Sequence, residues 1–193
     1  MTTPVGTDGS EYQGLQIVNV VASGQLGVGE IDTDVLGSEL DGDQTVLPGR
    51  VYLKAHDEAP VAMVFRSGAY SIAGASSWQA VLDTLEWLST KLDEVGLDVD
   101  SEVLFESVDV KYLVVTGDLG SQLNLSAAVI GLGMEHSEYE PEQFPAVIYR
   151  PEIADCTVLL FSTGKVTITG ARDIQTAYRV YEYVESSLHE LVV

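Results

Sequence analysis

The sequence predicts an α+β protein made of two copies of one supersecondary unit, with antiparallel strands and one long helix closing each copy. Three observations carry this. First, the chain repeats itself: Leu26-Gly27 returns as Leu119-Gly120, 93 positions on, and Phe65, Gly68 and Gly74 return 96 positions on as Phe161, Gly164 and Gly170. Pro145 answers Pro48, and Tyr149 answers Tyr52. A repeat at such spacing is two copies of one folding unit. Second, the stretch from Gln143 to Ala171 holds three strand-like segments, Val147 to Arg150, Thr157 to Phe161 and Lys165 to Thr169. They are rich in β-branched and aromatic residues, with Pro151, Ser162-Thr163-Gly164 and Gly170 as turns. Third, Trp78, Val81, Leu82, Leu85, Leu88 and Leu92 follow helical spacing, as do Ile174, Ala177, Tyr178, Tyr181, Val184 and Leu188. Two such units pair most simply into one continuous antiparallel sheet with both long helices on one face. The opposite face then stays open.

The elements follow in order. Residues 1–14 are polar and glycine-bearing and are expected to be a loose tail. The first copy spans 15–97. It opens with a strand over Leu15 to Ser23, then a short helix over Thr33 to Leu40 and a loop over Asp41 to Gln44. Three strands follow, Val51 to Lys54, Val61 to Phe65 and Ala69 to Ala73, separated by Pro60 and Ser67-Gly68. Ser76 or Ser77 caps the long helix, which stops at Gly96. Acidic residues 98–102 make a short connection to the second copy, 103–193. There Val108 to Thr116 matches the first strand, Leu125 to Ile130 the short helix, and Asp173 opens the last helix. In the last strand Lys165, Thr167 and Thr169 point one way while Val166 and Ile168 point the other. Leu159 and Phe161 share one face of their own strand. An exposed apolar sheet face usually marks a binding surface.

Composition narrows the class. With 193 residues and 46% hydrophobic residues the chain is long and apolar enough to fold around a core. Thirty Asp and Glu against nine Lys and Arg give a net charge of -21. That fits either a surface adapted to molar salt or an acidic face for a basic partner. The acids are spread over both halves rather than run together, which favours salt adaptation. A lone Cys156 excludes an intramolecular disulfide and suits a reducing cytoplasm. No stretch has the length of a membrane span, and residues 1–14 lack a signal-peptide pattern, so a soluble, intracellular protein is expected. An enzyme is disfavoured. His56, His136 and His189 show no ligand spacing and no nearby nucleophile pattern, and no metal or cofactor is implied. Ser162-Thr163-Gly164-Lys165 lacks the glycine spacing and the following helix of a phosphate loop.

Four segments carry a family resemblance. EYEPEQFPAVIYR (Glu138 to Arg150), LLFSTGKVTITGAR (Leu159 to Arg172) and VTGDLG (Val115 to Gly120) closely resemble the second repeat of archaeal TATA-box-binding proteins. VNVVASGQLG (Val18 to Gly27) resembles the start of their first repeat. The resemblance runs from about residue 15 to the end and is loose across Asp41 to Ser77. It implies a saddle-shaped curved antiparallel sheet with helices on the convex face and a concave underside that bends promoter DNA through its A/T-rich minor groove. Wedge insertion and kinking are known behaviour of this family, and the resemblance implies them here. On this resemblance Phe144 and Phe161 are the wedge pair of the second repeat, Phe65 is one wedge of the first, and Leu47 stands where the other would be. Val21, Met63, Val114 and Leu159 form the floor, and Asn19 and Thr169 meet minor-groove acceptors near the pseudo-twofold axis. Arg150 and Lys165 match phosphate-contacting positions. Glu140, Glu142 and Gln143 stand where the family's second-repeat turn meets transcription factor B, through which RNA polymerase is engaged indirectly.

The first repeat departs from the family pattern. Leu47 replaces a wedge phenylalanine, Leu53 the arginine, Ala69 the lysine and Ala73 the axial threonine. In the second repeat Tyr112 replaces the axial asparagine. These changes raise an alternative, a divergent paralogue acting as a protein-interaction adaptor with weak or no DNA binding. A third reading is a homodimer, formed without DNA through the apolar underside. The expected place of action is the cytoplasm, with the nucleoid, of a salt-adapted archaeal cell.

Overall fold

A computed structural model describes residues 11–41 and 44–189. The first ten residues of the expected tail, positions 42–43 of the expected loop and the last four residues of the second repeat lie outside the described residues. Glu11–Tyr12 forms β1 and pairs with the first two residues of β2 (Leu15–Gln25). The chain gathers into two compact units, Asn19–Lys111 and Tyr112–Val193, the latter joined by the start of the chain up to Val18.

The unit Asn19–Lys111 continues from β2 through α1 (Thr33–Glu39), β3 (Thr45–Leu47), β4 (Arg50–Leu53), β5 (Val61–Phe65), β6 (Ala69–Ala75), α2 (Trp78–Glu94) and α3 (Ser101–Glu106). Its strands are antiparallel in the order β3-β4-β5-β6-β2. Alternation sorts their side chains. Val51, Leu53, Ala62, Val64, Tyr70 and Ile72 are buried with Val81, Leu85, Leu88 and Leu92 of α2, while their neighbours along each strand are not. Ser77 caps α2, its hydroxyl accepting the Ala80 N–H at 3.1 Å.

The connection expected over 98–102 is shorter than that: residues 98–100 stay outside regular structure, and a helix begins at Ser101. Asp100 Oδ1 accepts the Glu102 and Val103 N–H groups at 3.1 Å each, which starts α3, and Leu104 is fully buried beneath it. A helix of six residues with one core side chain shows no periodicity to read. The Tyr70 hydroxyl donates to the Leu104 carbonyl at 2.9 Å, and burial pushes its pKa up to about 12.

The other unit holds the rest of β7 (Asp109–Asp118), α4 (Leu125–Leu132), a single 3-10 turn at Met134–His136, β8 (Ser137–Glu138), β9 (Ala146–Tyr149), β10 (Thr157–Phe161), β11 (Lys165–Thr169) and α5 (Ile174–Leu188). Its antiparallel order is β7-β11-β10-β9-β8. Leu113, Val115, Val147, Tyr149, Val158, Leu160, Val166 and Ile168 are buried with Ile174, Ala177, Val180, Val184 and Leu188 of α5. Val180, absent from the sequence pattern, is fully buried, whereas Tyr178 and Tyr181 flank it half-buried. Tyr178 meets Tyr12 edge to face at 5.6 Å, and the Tyr181 hydroxyl donates to the Asp118 carbonyl at 2.8 Å.

The repeat runs at a constant spacing of 96 through the hairpins, and this corrects one sequence alignment. Val51 pairs with Val64 as Val147 pairs with Leu160. Tyr52 therefore corresponds to Ile148, not to Tyr149, and Tyr149 corresponds to Leu53. A one-residue slip would send every side chain of β4 to the opposite face. It would bury the Arg50 guanidinium without a partner and expose Leu53, which the observed register buries. The edge strands differ as well. Thr45 pairs with Tyr52 and Glu138 with Ile148, so the turn of the second repeat is three residues longer. At the equivalent glycines of the two hairpins, Gly68 (φ +78°) and Gly164 (φ +89°), a Cβ would lie 2.6 Å from the Val28 carbonyl oxygen and 2.2 Å from that of Ser121.

The alternation gives a direct expectation. Leu160→Ala should cost about 2–5 kcal/mol in a denaturant melt, because it opens a cavity beneath the helices. Leu159→Ala, one residue away on the other face, should cost less than half of that.

Candidate nucleic-acid interface

The helices seal one face of each unit's sheet, and the other face carries the residues singled out by sequence. In the second repeat Thr157 pairs with Thr169 and Thr169 with Val114, while Ile148, Leu159, Thr167 and Thr116 form a second row. All are half-buried, and none is a carboxylate. Acids come only at the margins, Asp118 opposite Lys165 and Glu138 opposite Ile148. Phe161 ends β10 opposite Ala146. Phe144 follows a turn in which the Gln143 and Phe144 N–H groups both donate to the Glu140 carbonyl at 2.9 Å. The two rings meet edge to face at 6.4 Å and 68°. Phe144 is 38% exposed and Phe161 half-buried, so neither is a core residue.

Both expected phosphate contacts are held by carboxylates. Arg150 Nη1 lies 2.8 Å from Glu138 Oε1, and Lys165 Nζ lies 2.7 Å from Asp118 Oδ2. The hydrogen bond from Lys165, supplemented by that from the Gly120 N–H, holds the Asp118 carboxyl below its ordinary range. Glu140, Glu142 and Gln143 are all exposed, and the Gln143 amide donates to the Glu140 carboxylate. Tyr112 is 38% exposed, and where the Asn19 side chain bonds a glycine N–H in the first repeat, the Gly170 N–H here donates to the Leu113 carbonyl at 3.3 Å.

In the first repeat Tyr52, Met63, Ser71 and Ser23 form the matching row. Val61 pairs with Ala73, Ala69 lies further along β6, and Val21 lies at a β-bulge between Val20 and Ala22. Asn19 is tied to that irregularity. Its Oδ1 accepts the Gly74 N–H at 2.7 Å, leaving the amide donors with no hydrogen bond among the described residues. Minor-groove acceptors require donors, so this backbone bond and a groove contact are compatible.

Leu47 and Phe65 are not brought together as Phe144 and Phe161 are. Leu47, 38% exposed, sits in β3 opposite Arg50, and Arg50 in turn pairs with Phe65. The tight Pro48-Gly49 turn keeps Leu47 on the edge strand. Lys54, rather than Leu53, stands at the place of Arg150, and its ammonium donates to the Asp57 carbonyl at 2.9 Å. Sequence reasoning missed Arg50 and Tyr52. Arg50 is exposed, its guanidinium carbon 5.7 Å from the Tyr52 ring centroid. The signal that could have found them is the polarity of β4, where only one register keeps Arg50 out of the core. Among the described residues no His, Cys, Asp and Glu side chains gather as metal ligands, and no helix is long and apolar enough to cross a membrane.

Geometry of this kind defines a class, repeat proteins that present sheet faces rather than a cleft or a helix. The family model described as transcription factor TFIID (or TATA-binding protein, TBP) matches residues 107–191. TATA-box-binding protein C of Halobacterium salinarum is 39% identical over 184 residues, covering 92% of this chain and 99% of that protein. TATA-box-binding protein 2 of Haloferax volcanii is 41% identical over 177 residues, covering 89% and 91%. Among solved structures, Methanococcus jannaschii TBP aligns with a TM-score of 0.78 at 28% identity, covering 92% of this chain and 98% of that one. The chain belongs to the TATA-box-binding protein family, with the α+β fold of two repeats expected from its sequence.

Two outcomes follow from this geometry. Phe161→Ala should remain folded and lose only about 1 kcal/mol in a thermal melt, the size of an edge-to-face pair. Followed by NMR at low salt, the Asp118 carboxyl should titrate below 3.8. Because its folded-state pKa is depressed, the Lys165 contact stabilises the fold above the ordinary value and is lost as pH falls through the folded one. Lys165→Met should move that midpoint upward.

Proposed function

We propose that this protein is a general transcription initiation factor that binds and bends promoter DNA through the A/T-rich minor groove and recruits transcription factor B. The observation that carries this reading is the open face of the second repeat, neutral across its floor and ending in the Phe144–Phe161 pair. In TATA-box-binding proteins as a family, apolar wedges enter between base steps, unstacking them at a cost of a few kcal/mol per step that groove contact offsets. Here Phe144, Phe161 and Phe65 take that role, with Leu47 as a smaller wedge at the first-repeat edge. Val21, Met63, Val114 and Leu159 lie against the groove floor with Tyr112 beside them. The Asn19 amide and the Thr169 hydroxyl donate to A·T acceptors.

Arg150 and Lys165 exchange Glu138 and Asp118 for phosphate oxygens. Molar salt, with a Debye length of about 3 Å, weakens both the exposed ion pairs that break and the phosphate contacts that replace them, so the exchange is close to neutral. Electrostatic attraction contributes little at -21, and apolar groove contact carries the affinity. Glu140, Glu142 and Gln143, on the longer turn of the second repeat, offer an acidic surface to a basic groove of transcription factor B, and RNA polymerase joins through that factor. The function requires no catalysis and no cofactor, and its place is the nucleoid of a salt-adapted archaeal cell.

The test is fluorescence-resonance bending of an end-labelled TATA duplex in molar potassium chloride, with and without transcription factor B. A bend that depends on the TATA sequence is expected. A folded protein that bends no duplex in either condition would overturn the reading in favour of a protein-interaction adaptor. Changing Glu140 and Glu142 together to Lys should abolish the stabilisation by transcription factor B while leaving the binary bend unchanged.

A further inference from the structure

We propose that Arg50 is a specificity-determining residue of the first repeat, a guanidinium that enters the minor groove beside the first-repeat wedges and selects A·T over G·C pairs there. The inference rests on the promoter-binding reading and adds to it a residue to which the family resemblance assigned no role.

Four observations place it. The register of β4 puts Arg50 on the open face, in the same cross-strand row as Leu47 and Phe65. The equivalent row of the second repeat has the small Ala146 opposite Phe161, which leaves room for Phe144 to close onto that ring. The first repeat thus has a cation between its wedge positions where the second has an alanine. Next, Arg50 makes no ion pair among the described residues, whereas Arg150 and Lys165 are both held by carboxylates. Strands β3 to β6 contain no Asp or Glu, so nothing on this sheet competes for the guanidinium. Finally, Tyr52 lies beside it on the same face, 5.7 Å from ring centroid to guanidinium carbon, a stacking partner that restrains the side chain over the floor.

The chemistry then sets the preference. A guanidinium has five donors and no acceptor. In the minor groove an A·T pair presents only acceptors, A N3 and T O2, whereas a G·C pair adds the donating N2 amino group. Arg50 meets complementary groups at the first and a donor facing donors at the second. Two hydrogen-bonding residues expected near the axis are missing, the threonine replaced by Ala73 and the asparagine by Tyr112. Arg50 restores A·T readout at a different place, the outer part of the first-repeat footprint.

The test uses the full chain and a set of TATA duplexes in which each A·T pair in turn is replaced by I·C or by G·C. Those two replacements differ in the minor groove only by the N2 amino group. Bending affinity is measured in molar potassium chloride for the wild type, Arg50→Ala and Arg50→Lys, each checked for folding by its thermal melt. The wild type should bind the G·C duplex about tenfold more weakly than the I·C duplex at one or two adjacent positions near one end of the site. Arg50→Ala should erase that difference at those positions only and still bend the parent duplex, and Arg50→Lys should retain part of it. If both variants weaken all duplexes equally and keep the wild-type position profile, Arg50 touches phosphate alone and the proposal is wrong. An Arg50→Ala profile and affinity identical to wild type would overturn it as well. A wild type that bends none of the duplexes would instead bring down the promoter-binding reading on which the proposal rests.

Discussion

Everything in this molecule depends on the two-residue alternation of its strands, with one set of side chains sealed under helices and the other left uncovered. In each repeat the sealed set is aliphatic apart from one buried tyrosine, Tyr70 in the first and Tyr149 in the second. Both tyrosine hydroxyls are pushed up to about 12, principally by burial. Because the helices supply the core contacts on one side, the residues of the other side are released from packing duty. They are free to be hydroxyls, small apolar groups and aromatic rings at strand ends, a surface that fits a groove floor better than it fits water.

Charge is sorted by the same division. Among the described residues the acidic side chains fall on helices, turns, loops and strand ends rather than on the floor positions of either sheet. In a chain of net charge -21 the floor of each sheet is neutral, and the cations at the second-repeat margin are balanced by carboxylates. In the proposed complex these cations position a DNA backbone more than they attract it, and affinity comes from displaced water and apolar contact, terms that molar salt strengthens or leaves intact.

Much of this was legible in the sequence because the repeat shows itself twice. The strands Val61–Phe65, Thr157–Phe161 and Lys165–Thr169 and the caps at Ser77 and Asp173 follow from local chemistry. So does the position of Phe161 at the end of an uncovered row. What escaped lies where local signals are short or ambiguous. The helix at Ser101–Glu106 has a single core residue, and the edge strands at Thr45–Leu47 and Ser137–Glu138 are too brief to show alternation. The shared Pro-Gly/Ala and tyrosine motif invites an alignment of Tyr52 with Tyr149 that is one residue out of step. Only the cost of burying Arg50 fixes the true register, and that cost becomes visible once the partner strand is known. The pairing of Arg150 with Glu138 and of Lys165 with Asp118 is a tertiary fact that residue types alone do not disclose.

In the function proposed here, the uncovered faces of both repeats, and not the helix side, are the surface that meets DNA. Methyl-selective NMR with a TATA duplex in molar potassium chloride tests it most directly. Met63, Val114 and Leu159 lie on the uncovered faces, and Val64, Val115 and Leu160 are their sealed neighbours. Large shifts are expected for the first three methyl groups and small ones for the second three, in both repeats at once. Shifts confined to one repeat, or centred on methyl groups of the helices, would contradict it.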